Sequence, residues 1–211
     1  MPIEYTKPGS GSGADTSRGG VSLTKGQAVS LVKKGGGGLT KVRLGLGWDA
    51  GSRKTLFGGN KQIAVDLDAS CLMYGADGRL LDNVWFRQLR SKDGSIQHTG
   101  DDRRGGVAGD AESIRVDLTQ VPAAIQTLVF VVNSYSGENF SQIQRAHCRV
   151  VDETSGDAEL VRYDLTETGN YTASVMAKVS RASTGWTFTA IGATGAGRTI
   201  RDMDPLVRPH L

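Results

Sequence analysis

The feature that most constrains this chain is a strict alternation of apolar and polar residues, repeated in short stretches along most of its length. Clear examples are residues 62–68 (QIAVDLD), 113–118 (SIRVDL) and 186–191 (WTFTAI). Successive side chains of a β-strand point to opposite sides, so each stretch offers one face to a core and one to solvent. Glycine- and aspartate-containing turn signals separate the stretches, and no long helical pattern intervenes. The sequence therefore predicts an all-β fold, an antiparallel sandwich of two sheets.

Composition divides the chain into three parts. Residues 1–19 are rich in glycine and serine and contain almost nothing apolar, which predicts a flexible leader. Residues 20–197 carry the alternating stretches and form the predicted sandwich domain, with short helical turns at residues 119–124 and 139–146 and a glycine loop at residues 35–38. Residues 198–211 contain several arginines and read as a C-terminal tail that can dock on a neighbouring molecule.

Charge and hydropathy exclude several classes of partner. Lys and Arg total 25 against 22 Asp and Glu, and this balance of +3 is too small to indicate a nucleic-acid partner. No apolar run approaches the roughly 20 residues that a membrane-spanning helix needs. The N-terminal residues lack the apolar stretch of a secretory signal, which predicts a cytoplasmic protein. In that compartment Cys71 and Cys148 are expected to be reduced packing residues.

One segment stands out chemically: residues 98–112 (HTGDDRRGGVAGDAE) concentrate carboxylates among glycines between two predicted strands. Calcium takes six to eight oxygen ligands from carboxylates and backbone carbonyls, and glycines let a loop fold tightly enough to supply them. Asp66 and Asp68 lie two residues apart on one predicted strand and so share a face. An EF-hand is excluded, because Arg103 and Gly105 occupy positions where that loop requires oxygen ligands.

Several motifs, in order, resemble those of the TerD domain of bacterial tellurite-resistance and stress-response proteins. They are GVSLTKG at residues 20–26, GLGWD at 45–49, DLDAS at 66–70, the segment 98–112, LVRYDL at 160–165 and GWTF at 185–188. The resemblance covers most of the chain. It implies a TerD-like β-sandwich that binds calcium in its acidic loop and takes part in resistance to tellurite, other stresses and phage. No enzymatic activity is established for that domain.

The acidic loop departs from the family pattern, because Ala108 and Ala111 stand where the family usually has aspartate. Two carboxylates are lost, so we expect at most one strong calcium site instead of the two-ion arrangement of the family. The predicted ligands are Asp66, Asp68, Asp101, Asp102, Asp110 and Glu112. A solvated acidic turn that binds no metal is the plainer alternative.

Two functions follow for this chain. The first is a non-enzymatic, calcium-binding module of the tellurite-resistance and stress-response type, which acts on a protein partner or on other stress-response subunits. The second is a metal-independent scaffold or assembly subunit with a degenerate calcium loop, a hypothesis that Ala108 and Ala111 favour. An enzyme ranks last, since the sequence contains no recognisable arrangement of nucleophile and base.

Overall fold

The structure is a computed structural model that describes residues 20–31, 38–50, 52–54, 60–62, 66–100, 110–165 and 169–211. The predicted leader, residues 1–19, and most of the predicted glycine loop at 35–38 lie outside the described residues. So do two of the predicted calcium ligands, Asp101 and Asp102.

Two six-stranded sheets make up the body of the protein, and their strands are numbered along the chain. The first sheet has the spatial order β1 (Val21–Leu23), β12 (Ala158–Leu165), β11 (Ile143–Asp152), β3 (Lys41–Ala50), β9 (Glu112–Asp117) and β8 (Ile96–His98). The second has the order β2 (Ala28–Ser30), β14 (Gly185–Gly195), β13 (Ala173–Ala182), β10 (Ile125–Ser134), β6 (Leu67–Gly75) and β7 (Leu80–Val84). A separate pair joins β4 (Ser52–Lys54) to β5 (Asn60–Gln62).

The two sheets pack face to face, and their alternating residues build the core. In β6, Leu67, Ala69 and Cys71 point into the core between the sheets, where they join side chains such as Ile114 of β9. The predicted antiparallel sandwich is confirmed, with one exception: β1 pairs with β12 in parallel. Among the described residues no long helix interrupts either sheet, which agrees with the absence of a helical period in the sequence.

In the part of the chain that the structure describes, helical structure is confined to short turns. The prediction of a helical turn at residues 139–146 is confirmed only in part, since Phe140–Gln142 form a single 3-10 turn and β11 begins at Ile143. Residues 119–124 form turns and no helix. Among the helices of the described residues, none has the length and apolar character needed to span a bilayer.

The C-terminal segment packs on the protein itself. It consists of a 3-10 turn at Ile200–Met203, helix α1 at Asp204–Val207 and a second 3-10 turn at Arg208–His210. Met203 and Val207 are buried against the outer face of the second sheet, in a cluster with Leu72, Tyr74, Val129, Val131, Val175 and Ile191. These two side chains cover an apolar face of their own domain. That the segment also docks on a neighbouring molecule stays a prediction.

Candidate functional site

Four of the six predicted calcium ligands are described by the structure, and Glu112 is the most deeply placed of them. It is the first residue of β9 and pairs with Leu46 of β3, so its side chain points into the space between the sheets. Its Oε2 accepts a hydrogen bond of 2.6 Å from the backbone N–H of Ala69, which belongs to the other sheet. The side chain has no exposed surface. Glu112 thus joins the two sheets through a buried carboxylate.

His98 connects Glu112 to the start of the acidic loop. Its Nδ1 accepts a hydrogen bond of 3.0 Å from the N–H of Gly100. In the neutral ring the proton therefore sits on Nε2, which lies 3.5 Å from Oε2 of Glu112. Gly100, whose φ is 115°, is the last described residue before the segment 101–109. His98 therefore places Gly100, the residue before the segment 101–109, close to Glu112.

Asp66 and Asp68 lie at the beginning of β6, next to Ala69, whose N–H is bonded to Glu112. Asp68 stands between Leu67 and Ala69, whose side chains enter the core, so alternation places it on the outer side of the second sheet. It is buried and pairs with Asn133 of β10. Asp66 precedes the strand and is partly buried. The contact between Glu112 and the N–H of Ala69 brings the Glu112 carboxylate next to the residue that follows Asp68.

Asp110 lies elsewhere, on the outer face of the first sheet. Its carboxylate accepts a bidentate pair of hydrogen bonds from Arg149, of 2.6 Å from Nε and 3.1 Å from Nη2. Arg43 also donates to it from Nη1. The Asp110 side chain is only 5% exposed. These bonds hold the pKa of the Arg149 guanidinium above its usual value, the hydrogen bond to Asp110 being the largest cause.

Gly45 of β3 makes room for this arrangement. A Cβ at residue 45 would overlap the Asp110 carboxylate. The neighbours Leu44 and Leu46 point into the core, so position 45 faces outward, as does Arg149, its partner on β11. Asp110 and Glu112 are therefore on opposite faces of the first sheet, and the structure does not bring their carboxylates together.

The described residues alone do not complete a metal site. Within them there is no group of three or more His, Cys, Asp or Glu side chains arranged to hold a metal ion. Asp66, Asp68 and Glu112 supply the hard oxygen donors that calcium prefers, and they fit that ion chemically. Asp110 does not fit, because two guanidinium groups already occupy its oxygens. A calcium site here needs further ligands from the segment 101–109, which contains Asp101 and Asp102.

Sequence reasoning missed Arg43 and Arg149 as partners of Asp110. The available signal was weak: Gly45 interrupts an alternating strand at an outward position, where a side chain is expected. Nothing in the sequence showed that β9 and β11 flank β3. The pairing of strands far apart in the chain decides which charges meet on a sheet face.

The two cysteines are free and buried, as predicted. Burial raises the pKa of the Cys148 thiol to about 12, and the charge of Asp110 adds to that effect. Burial also raises the pKa of Cys71, with a smaller contribution from Asp82. A thiol in this state is a poor nucleophile and a poor metal ligand, because both roles need the thiolate.

Comparison with known proteins shows the family. The family model for the TerD domain matches residues 20–203. The tellurium resistance protein TerZ of Serratia marcescens is 44% identical over 187 residues, which are 87% of this chain and 94% of that protein. The stress response protein SCP2 of Bacillus subtilis (strain 168) is 41% identical over 188 residues, 82% of this chain and 91% of that protein.

A solved structure shares the fold. It is a homologue of telluride resistance protein (TerD) from Streptomyces coelicolor A3(2), with a TM-score of 0.59 and 23% identity over 77% of this chain and 92% of that one. The likeness in fold agrees with the sequence motifs and with the match to the domain. This chain belongs to the TerD family, whose named members are tellurium resistance and stress response proteins.

Proposed function

We propose that this protein is a non-enzymatic, calcium-binding module of a bacterial tellurium-resistance or stress-response system, acting in the cytoplasm on a protein partner. One ion would be held by Glu112 and Asp66 together with Asp101 and Asp102; Asp68 faces the outer side of the second sheet, away from the Glu112 carboxylate. The observation that carries the proposal is the Glu112 carboxylate, which is buried between the sheets and lies next to the start of the acidic segment through His98. The names of the relatives support the physiological setting.

The two residues that flank the segment 101–109, Gly100 and Asp110, are both held by hydrogen bonds. At one end, the N–H of Gly100 is bound to His98, which contacts Glu112. At the other end, Asp110 is held by Arg43 and Arg149. When bound, calcium would supply two positive charges against carboxylates that otherwise repel one another. The protein's own contribution is to hold the Glu112 carboxylate in place, through the N–H of Ala69, next to His98.

Buried thiols support a non-enzymatic role. The two sulfur atoms that would most readily react with an electrophile or an oxyanion are both inside the core. Their raised pKa values keep them protonated near neutral pH. We therefore assign the protein's action to binding and not to covalent chemistry at these cysteines.

A second candidate, a metal-independent scaffold, is favoured by one observation. Asp110, a member of the acidic segment, is neutralised by two arginines within the protein. If the remaining carboxylates are similarly satisfied, the loop needs no ion. The two candidates differ in a single measurable property, which is the dependence of stability on calcium.

Thermal melts of the purified chain test the proposal. A ligand present at about 100 times its dissociation constant stabilises the folded state by about 2.7 kcal/mol. For a domain of this size that corresponds to a rise in Tm of roughly 5–10 °C. We expect this rise in millimolar calcium, its reversal by excess EGTA, and a smaller effect of magnesium. Identical melts in calcium and in EGTA would leave the scaffold as the function.

A further inference from the structure

An open groove of about 640 Å³ lies at the edge of the second sheet beyond β7. Its floor and walls carry the rings of Trp85, Phe86 and Tyr135, together with Leu80 and the guanidinium groups of Arg87 and Arg201. We call this feature the aromatic groove. The segment after residue 197 forms one wall, so the groove exists because that segment packs on its own domain.

The apolar surface of the groove is exposed to solvent. Leu80 is 43% exposed and Tyr135 is 50% exposed, and both belong to the small set of large hydrophobic side chains that the described residues leave open. Phe86 contacts both neighbouring rings edge to face, with centroids 4.9 Å from Trp85 and 6.0 Å from Tyr135. Surfaces rich in tryptophan, tyrosine and arginine are typical of the energetic centres of protein interfaces.

The groove is positively charged. Arg87 lies over the rings of Trp85 and Phe86, at 5.8 and 5.3 Å from their centroids. Within the described residues, neither Arg87 nor Arg201 forms an ion pair. The nearby carboxylate of Asp202 is instead occupied by the backbone N–H groups of Arg198 and Thr199, and these bonds hold its pKa below the usual value.

Both walls of the groove are held in place by hydrogen bonds. The turn that presents Phe86 and Arg87 is closed by backbone bonds of 3.0 and 2.9 Å between Trp85 and Gln88. The Gln88 side chain then fixes the turn to Asp82 and to the carbonyl of Asn83. Although partial burial acts to raise it, the pKa of Asp82 stays below its usual value because of the hydrogen bonds from Lys92 and Gln88.

The opposite wall is tied to the sheet by Asn133, which donates 2.8 Å to the carbonyl of Arg198. A groove that is already ordered loses little conformational entropy when it binds a ligand. The aromatic groove therefore has three properties of a prepared docking site: apolar rings that are open to solvent, guanidinium groups that no carboxylate of the described residues pairs with, and a fixed shape.

From these properties we propose that the aromatic groove binds an acidic peptide segment of a partner protein, with an aromatic or aliphatic side chain seated against Trp85, Phe86 and Tyr135. The acidic residues of that segment would pair with Arg87 and Arg201. This deepens the partner part of the proposed function and does not depend on calcium, because no residue of the groove belongs to the predicted ligand set.

Selection of a random twelve-residue phage-displayed peptide library on the full 211-residue chain tests the proposal. We expect enriched peptides that combine several Asp or Glu residues with an aromatic or aliphatic residue, both in calcium and in EGTA. Enrichment of basic or neutral peptides, or no enrichment, would overturn it. Running the selection in EGTA separates this result from a failure of the calcium site.

The most enriched peptide, labelled with fluorescein, then allows affinities to be compared by anisotropy. The double variant R87E/R201E is expected to bind at least about tenfold more weakly, and Y135A similarly, as for hot-spot residues. The control K41E/R115E reverses two charges on the first sheet, at side chains 58% and 57% exposed, and should change the affinity by less than about twofold. Equal binding by the wild type and R87E/R201E would contradict the assignment of the site.

Discussion

Replacing Asp110 with alanine is expected to lower the free energy of unfolding by about 3–5 kcal/mol, the range for removing one partner of a buried ion pair. The change leaves Arg43 and Arg149, whose side chains are 16% and 25% exposed, facing each other over Gly45 without their shared carboxylate. For a domain of this size the loss corresponds to a fall in Tm of roughly 6–20 °C. Urea denaturation and a thermal melt, both in EGTA, measure it.

The same chain offers a matched control. Asp157 also approaches Arg43, at 3.4 Å from Nη2, but its side chain is 64% exposed. Asp157→Asn, which removes the charge and tolerates the φ of 58° at this position, should therefore cost less than about 1 kcal/mol. The rise in Tm caused by calcium should survive in Asp110→Ala, since Asp110 and Glu112 lie on opposite faces of the first sheet. A stable Asp110→Ala protein that no longer responds to calcium would instead make Asp110 a ligand.

Replacing Glu112 with glutamine is expected to abolish the rise in Tm caused by calcium. The amide oxygen of glutamine can still accept the hydrogen bond from the N–H of Ala69, so the contact between the sheets is kept while one negative charge is lost. We expect the calcium affinity to fall on the order of 100-fold, because the number of charged ligands sets the affinity of calcium sites. Thermal melts of wild type and variant, each in calcium and in EGTA, give the comparison.

Asp117→Asn provides the control for this prediction. Asp117 is the last residue of the same strand β9, bonded to Thr119 and Gln120 at the far end from Glu112. This variant should retain the full calcium response. If Glu112→Gln and Asp117→Asn respond to calcium as the wild type does, Glu112 is a structural link between the sheets and the proposed ligand set fails.

The sequence was sufficient to predict the sandwich because alternation is a local property. In β9 and in the first half of β6 the apolar positions alternate with polar ones, and this pattern determines which side chains enter the core between the sheets. The packing of the C-terminal segment was harder to predict from the sequence. Only Met203 and Val207 of its first turns are buried, and so short an apolar signal does not show which face it covers.

The predicted ligand set could not be tested by neighbouring residues alone, because strand pairing decides where Asp110 and Glu112 point. Residues 110 and 112 are close in sequence and both acidic, so the acidic segment placed them in one site. The chain bends at Ala111, which sends one carboxylate to the arginines and the other between the sheets. That division depends on Gly45 and on the pairing of β3 with both β9 and β11, which are long-range properties.

Isothermal titration of calcium into the EGTA-stripped wild-type chain tests the central claim most directly, because it counts the ions. We expect one bound ion per chain, present in Asp110→Ala and lost in Glu112→Gln. A wild-type titration without binding heat at several temperatures, or with two tight sites, would contradict it.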